Sequence, residues 1–312
     1  MEASKGEGQS ERSSATDETP KTPGMWRVMV FSFFVVPLAI AVGGVALFTG
    51  VFVLTTDEPD TLSLLDDVRH GYSNKRWQAA YHLVTMLDGP NAVPTTPEIT
   101  AALNDAFENT DPETEGAVRQ YLALAMGCTG SEAFVAPLLA ALESDSSENI
   151  PFIIRALGRL GYVQAAEAII EKVGDASPAV RLESVIALGA IGDPASRSAL
   201  NAALDDTEPN VRWDAAIALA KLGDDSGRQT LLQLMDRSYL SSFDAVDPNE
   251  TNRILQVAVQ AAAMLHQPAL DAAINKVATS DENMEVRRTA SDVLSNPREE
   301  TVEDESHVHQ GA

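Results

Sequence analysis

The sequence returns to itself after 31 residues, and that recurrence limits the fold more than any other feature of the chain. Asp175-Ala-Ser-Pro-Ala-Val-Arg181 aligns with Asp206-Thr-Glu-Pro-Asn-Val-Arg212, sharing Asp, Pro, Val and Arg in register. The match continues through Ala187-Leu188 against Ala218-Leu219, then Ile191-Gly-Asp193 against Leu222-Gly-Asp224. Leu160-Gly161 lies the same distance before Ile191-Gly192, and fainter copies stand at Val118-Arg119 and Val286-Arg287. Arg76-Trp-Gln-Ala-Ala80 echoes Arg212-Trp-Asp-Ala-Ala216. A period of this length marks a supersecondary unit that stacks on copies of itself.

Each unit reads as two helices. Leu138, Leu139 and Leu142, or Leu200, Ala203 and Leu204, have the spacing of a helix with one buried stripe. A short polar turn follows, and Pro178 or Pro209 then suits the first position of a second helix, where a missing N–H costs nothing. Val180, Ser184 or Ala215, Ala187 or Ala218, and Leu188 or Leu219 line the buried side of that helix. Gly192 and Gly223 follow it and suit the left-handed conformation that ends a helix. Such a unit cannot bury its apolar face alone, so the units must stack. Aromatic residues are 5% of the chain against 45% apolar overall, a composition suited to packed helices.

The Asp…Pro-x-Val-Arg…Ala-Leu-Gly pattern resembles the HEAT repeat, and especially the short variety named after phycobilisome lyases. The resemblance covers about residues 60–297, divided into seven units that begin near Asp60, Pro97, Phe134, Ala165, Arg197, Arg228 and Ala269. The second, third and sixth are degenerate. It implies an all-α chain, an α-solenoid of the armadillo-type superhelix. It also implies that Asp175, Arg181, Asp206 and Arg212 form a hydrogen-bonded ladder between neighbouring units, as structural positions rather than an active site. The sixth unit breaks the period with an insertion, residues 237–250. Insertions in solenoids map to loops on one face, often the binding face, so Tyr239, Leu240 and Phe243 are candidate partner anchors.

Ahead of the array, residues 28–56 hold no Asp, Glu, Lys or Arg. About 20 apolar residues suffice to cross a bilayer as a helix, and this run is too long and too far from the start for a cleaved signal. The chain therefore divides into a disordered polar N-terminus (1–25), a single transmembrane helix (26–56), the solenoid (57–297) and a disordered acidic tail (298–312). Pro37 and the Gly43-Gly44 pair are expected to kink the helix. Ala39, Gly43, Ala46 and Gly50 align as small residues on one face, a packing face for another membrane helix. Lys21 and Arg27 lie close to the N-terminal end, which puts the N-terminus in the cytoplasm and the repeat domain outside, in the periplasm or extracytoplasmic space.

The net charge of −24 argues against nucleic acid and against an anionic lipid surface as general partners. One cysteine, Cys128, lies in an apolar run and reads as a packing residue. His82 and His266 sit in helical patterns and read as satisfied structural residues; His307 and His309 in the tail make a poor metal site. No nucleophile elbow, phosphate-cradling loop or Cys-x-x-Cys pair is present, and no His is followed by Glu, the pair by which HEAT-fold di-iron hydroxylases are recognised. No cofactor, metal site or enzymatic activity is expected. The expected function is a membrane-anchored scaffold or adaptor for a protein partner with a basic surface. The alternatives are an accessory subunit of a larger membrane complex and a bilin-lyase-like enzyme.

Overall fold

The computed structural model describes residues 24–55, 60–90 and 92–295, and every regular element among them is helical. The expectations for residues 1–23 and 296–312, including His307 and His309, lie outside the described residues, as do Thr56 and residues 57–59. Two compact units divide after Pro59.

The first unit contains helix α1 (Met25–Val30), a π-helical turn (Phe31–Val35) and helix α2 (Val36–Thr55). The π turn immediately precedes Pro37, whose ring nitrogen has no hydrogen to donate and whose ring crowds the carbonyl one turn back. The Val36 N–H reaches instead to the Phe31 carbonyl, five residues away. The irregularity expected at Pro37 thus takes the form of a widened turn, whereas α2 runs as α-helix through Gly43-Gly44. Residues Phe33–Val51 form a helix long and apolar enough to cross a membrane, with a mean hydropathy of 2.3.

In the second unit the helices pair as hairpins, and seven pairs are present among the described residues. They are α3 (Thr61–His70) with α4 (Ser73–Leu87), α5 (Pro97–Glu108) with α6 (Gly116–Cys128), and α7 (Val135–Ser144) with α8 (Ile150–Leu160). Next come α9 (Ala166–Ile170) with α10 (Pro178–Ile191), and α11 (Arg197–Ala203) with α12 (Pro209–Lys221). Helix α13 (Arg228–Leu234) pairs with α15 (Pro248–Ala263) across the short α14 (Arg237–Leu240), and α16 (Pro268–Ser280) pairs with α17 (Met284–Ser295). Pro178 and Pro209 open their helices as expected. Gly161, Gly192 and Gly223 each stand just past a second helix with φ of 73°, 76° and 71°, the left-handed region that a side chain disfavours.

The first helices of the pairs form one layer and the second helices another. The second layer is much the closer packed, for a reason written in the repeat. A Cβ placed on Gly127 would lie 2.7 Å from the Ala156 Cα, one on Gly158 2.8 Å from the Ala187 Cα, and one on Gly189 3.0 Å from the Ala218 Cα. These glycines are spaced one repeat apart, so α6, α8, α10 and α12 stack with their backbones touching. The core divides at α12: Ala215, Ala218 and Leu219 belong to the cluster that runs back to α3, while Trp213, Ala216, Ile217 and Ala220 belong to a second cluster shared with α13 to α17.

Candidate functional site

The expected ladder positions form part of a wider system. Arg181 holds Asp206 with two parallel bonds, Nε to Oδ2 at 2.7 Å and Nη2 to Oδ1 at 2.9 Å, and donates from Nη1 to the Asp175 carbonyl at 3.0 Å. One guanidinium thus ties its own turn to the next. Arg212 repeats half of the motif, donating to the backbone carbonyls of Asp206 and Thr207 at 2.7 and 3.0 Å. The Asp175 carboxylate accepts from the Ser177 N–H at 2.8 Å. The arginine that would reach it from the preceding unit is replaced by Ile150. Further rungs, not singled out from the sequence, join Arg76 to Glu115, Arg119 to Asp145 and Arg237 to Asp281. The Arg181 bond holds the Asp206 carboxyl below its usual range.

The insertion spends its apolar side chains inside the domain. Leu240 is fully buried, and Tyr239 and Phe243 are half-buried. The two rings meet Trp213 edge-on, Phe243 at 5.0 Å and Tyr239 at 6.4 Å between centroids, and the Trp213 indole N–H donates to the Tyr239 hydroxyl at 3.3 Å. These three residues therefore brace the sixth unit against α12, because a loop inserted into a repeat must cover the core it uncovers. The small residues of the first unit, Ala39, Gly43, Ala46 and Gly50, are all exposed. A Cβ on Gly43 or Gly50 would meet nothing within 4 Å. Cys128 is half-buried, and burial pushes its thiol up. His82, expected to be structural, is exposed with its ring edge-on to Tyr81, and His266 is exposed with a φ of 46° in the turn after α15.

Sequence reasoning missed the surface where unsatisfied chemistry gathers, the outer side of the second layer. Trp77, Tyr81, Ile186, Val257 and Met264 are exposed there, on α4, on α10 and along and just past α15. Charges cross the same surface in pairs: Arg155 on α8 holds Glu183 on α10 with an Nε–Oε2 distance of 3.0 Å, and Arg159 reaches Asp88 at 2.6 Å. Asp214 breaks the pattern. Its half-buried carboxyl has no hydrogen-bond or ion-pair partner among the described residues, and burial, with Glu183 nearby, pushes it up to about 6 against the pull of Lys221.

Asp214 faces a cavity of about 430 Å³ whose walls include Leu182, Trp213, Ile217, Ile254 and Val257. The insertion closes one side with Val246 and Asp247. A second cavity of about 680 Å³ lies where the ends of α12 and α15 meet α16 and α17, walled by Lys221, Gln260, Met264, Asp271, Ile274 and Leu294. Among the described residues no three His, Cys, Asp or Glu side chains are grouped to hold a metal ion.

The family model for HEAT repeats matches residues 166–241, from α9 through α14. Among solved structures, the complex of CpcE and CpcF of phycocyanin lyase from Nostoc sp. PCC7120 is similar with a TM-score of 0.55 and 18% identity, over 77% of this chain and 88% of that one. A designed armadillo repeat protein in complex with peptide (KR)4 is similar with a TM-score of 0.40 and 18% identity, over 74% of this chain and 97% of that one. At these identities the likeness is one of fold. No curated protein matches the sequence. The chain thus carries HEAT repeats at residues 166–241, within a longer all-helical array of the same build.

Proposed function

We propose that this protein is a membrane-anchored HEAT-repeat scaffold that binds a protein partner through the second layer of its helical array. The observation that carries the reading is the α12–α15 surface, where Val257 and Met264 are exposed beside the half-buried carboxylate of Asp214, which has no bonded partner among the described residues. A stack of helix pairs offers an extended surface suited to a protein or peptide. The net charge of −24 favours a partner with a basic patch. The apolar helix at Phe33–Val51 and the uncharged run around it support the anchor. Lys21 and Arg27 favour a cytoplasmic N-terminus with the array on the opposite side.

The test is protease protection on intact cells, followed by affinity purification in mild detergent. Trimming of the array from outside is the expected result. Protection until the membrane is broken would overturn the orientation, and failure to sediment with membranes would overturn the anchor.

The helical spacing of the small residues Ala39, Gly43, Ala46 and Gly50 favours a second reading, an accessory subunit packed into a larger membrane complex. Gly43→Ile together with Gly50→Ile is then expected to abolish co-purification of membrane partners, whereas an adaptor that binds through its array retains them. The fold shared with a phycocyanin lyase does not carry that activity to this chain. A spectral change on mixing the protein with a bilin and an acceptor protein would bring chromophore attachment back.

A further inference from the structure

We infer that the furrow between α12 and α15 seats one amphipathic, basic helix of the partner, with a lysine or arginine of that helix reaching Asp214. The inference rests on the scaffold reading and names the chemistry of what is bound.

The furrow exists because the rule that closes the other junctions fails here. Gly127, Gly158 and Gly189 let one second-layer helix touch the next; one repeat on, the position is Ala220. The α12–α15 junction thus has no glycine at the position of close backbone approach, and it is also the junction that the insertion enters. Two cavities open along the pair, at Trp213 to Ile217 and then at Ala220 to Lys221, where Ile274 of α16 and Leu294 of α17 close the second. Helix α12 has 13 residues, so the furrow runs about 20 Å, the length of three to four helical turns. On the α12 side Trp213, Ile217 and Ala220 form a floor, each less than a tenth exposed, and the other side offers the half-buried Ile254, the exposed Val257 and, just past α15, the exposed Met264; most of these steps are three or four residues, the spacing on which another helix packs.

Charge selects the occupant. Glu183 is held by Arg155, and Glu250 by Arg253. Asp247 caps α15, accepting from the Asn249 and Glu250 N–H groups at 2.7 and 2.9 Å. Asp214, and Asp271 at the second cavity, have no bonded side-chain partner among the described residues, and Lys221 is two turns along the helix from Asp214. A half-buried carboxylate beside Trp213 and Ile217 repels an acidic segment and leaves a polar one underpaired. A cationic side chain on an apolar helix satisfies both the walls and the charge.

The test uses full-length protein in phosphatidylcholine nanodiscs. The probe is a short fluorescein-labelled helical peptide of leucine, alanine and lysine, with leucine at helical spacing. Its glutamate-for-lysine counterpart and a proline-interrupted version are the controls. The lysine peptide is expected to bind, and both controls to bind far more weakly. Asp214→Asn and Val257→Asp should each weaken it about tenfold, while Glu171→Gln, at an exposed position outside the furrow, should leave it unchanged. Val257→Asp adds negative charge, so mere attraction to an acidic surface would strengthen binding in that variant. Unchanged binding in both furrow variants overturns the site, and equal binding of the proline-interrupted peptide overturns the helix.

Purification of the same variants from native membranes separates the two readings. A partner kept by Val257→Asp removes the furrow and leaves the scaffold standing. A furrow that binds the peptide in a protein that retains no partner of its own removes the scaffold.

Discussion

At the scale of single residues, the glycines of the second layer and the aspartates of the inter-unit turns do opposite kinds of work. Gly189 admits Ala218 because it has no side chain: an added methyl would stand 2.7 Å from the Ala218 Cβ. Alanine is favoured over glycine inside a helix by about 1 kcal/mol, but overpacking costs about 1–3 kcal/mol and here one neighbour is backbone. Gly189→Ala should therefore lower stability by about 1–2 kcal/mol in thermal melts followed by circular dichroism. The aspartates make a contrast in pH. The Asp206 carboxyl, held low by Arg181, contributes stability that is full above its unfolded value of about 3.9 and lost as pH falls through the lower folded value. Asp206→Asn should cost about 2 kcal/mol at neutral pH, the loss of one charge-assisted pair. Asp214 runs the other way. Its folded value of about 6 lies above the unfolded one, so its ionised form costs stability above that pH and the cost disappears as pH falls towards about 4. Asp214→Asn should raise the melting temperature at neutral pH and lose that advantage near pH 4. A melting temperature at neutral pH unchanged from the parent would mean that Asp214 carries no buried charge.

At the scale of elements, the array is built of hairpins whose second helices carry the stack, and the exception is the sixth hairpin. Its α13 and α15 are separated by α14 and the turn through Phe243, and Trp213 meets Tyr239 and Phe243 edge-on. This aromatic cluster packs α12 at the junction where Ala220 stands in place of the repeat's glycine. Phe243→Ala removes a half-buried ring with two aromatic neighbours and should destabilise the C-terminal hairpins by about 2 kcal/mol. The expected signature is increased hydrogen exchange in α13 to α17 with α3 to α10 unchanged, because in a stacked array each unit depends chiefly on its neighbours. Uniform loosening along the array would contradict that division of the core.

For the whole molecule, the charge of −24 sets the terms of association. A partner drawn in by that charge should lose affinity steeply as salt rises, since the screening length falls from about 10 Å at 0.1 M to about 3 Å at 1 M. Retention on immobilised protein that is indifferent to salt would leave apolar burial as the sole attraction and remove the basic partner.

The helical class, the repeat period and the apolar helix could all be read from the residues alone. These follow from local chemistry: Pro178 and Pro209 open helices, Gly192 and Gly223 end them, and the 31-residue spacing fixes what stacks on what. The arginine–aspartate rungs were legible for Arg181 and Asp206, whose motif is intact. The rungs through Glu115 and Asp145 were not, because their turns depart from that motif, and the rung to Asp281 was not, because its arginine, Arg237, lies in the insertion. What the tertiary structure alone decided is the furrow. Ala-Leu-Gly and Ala-Leu-Ala look interchangeable as strings, yet one closes a helix junction and the other leaves it open. Tyr239, Leu240 and Phe243 read as a partner loop until the packing turned them inward, and nothing in the string sets Asp214 apart from the other acids. Periodicity reports which face of a helix is apolar; how near the next helix can come depends on the atoms of two segments at once, and so does the charge left without a partner between them.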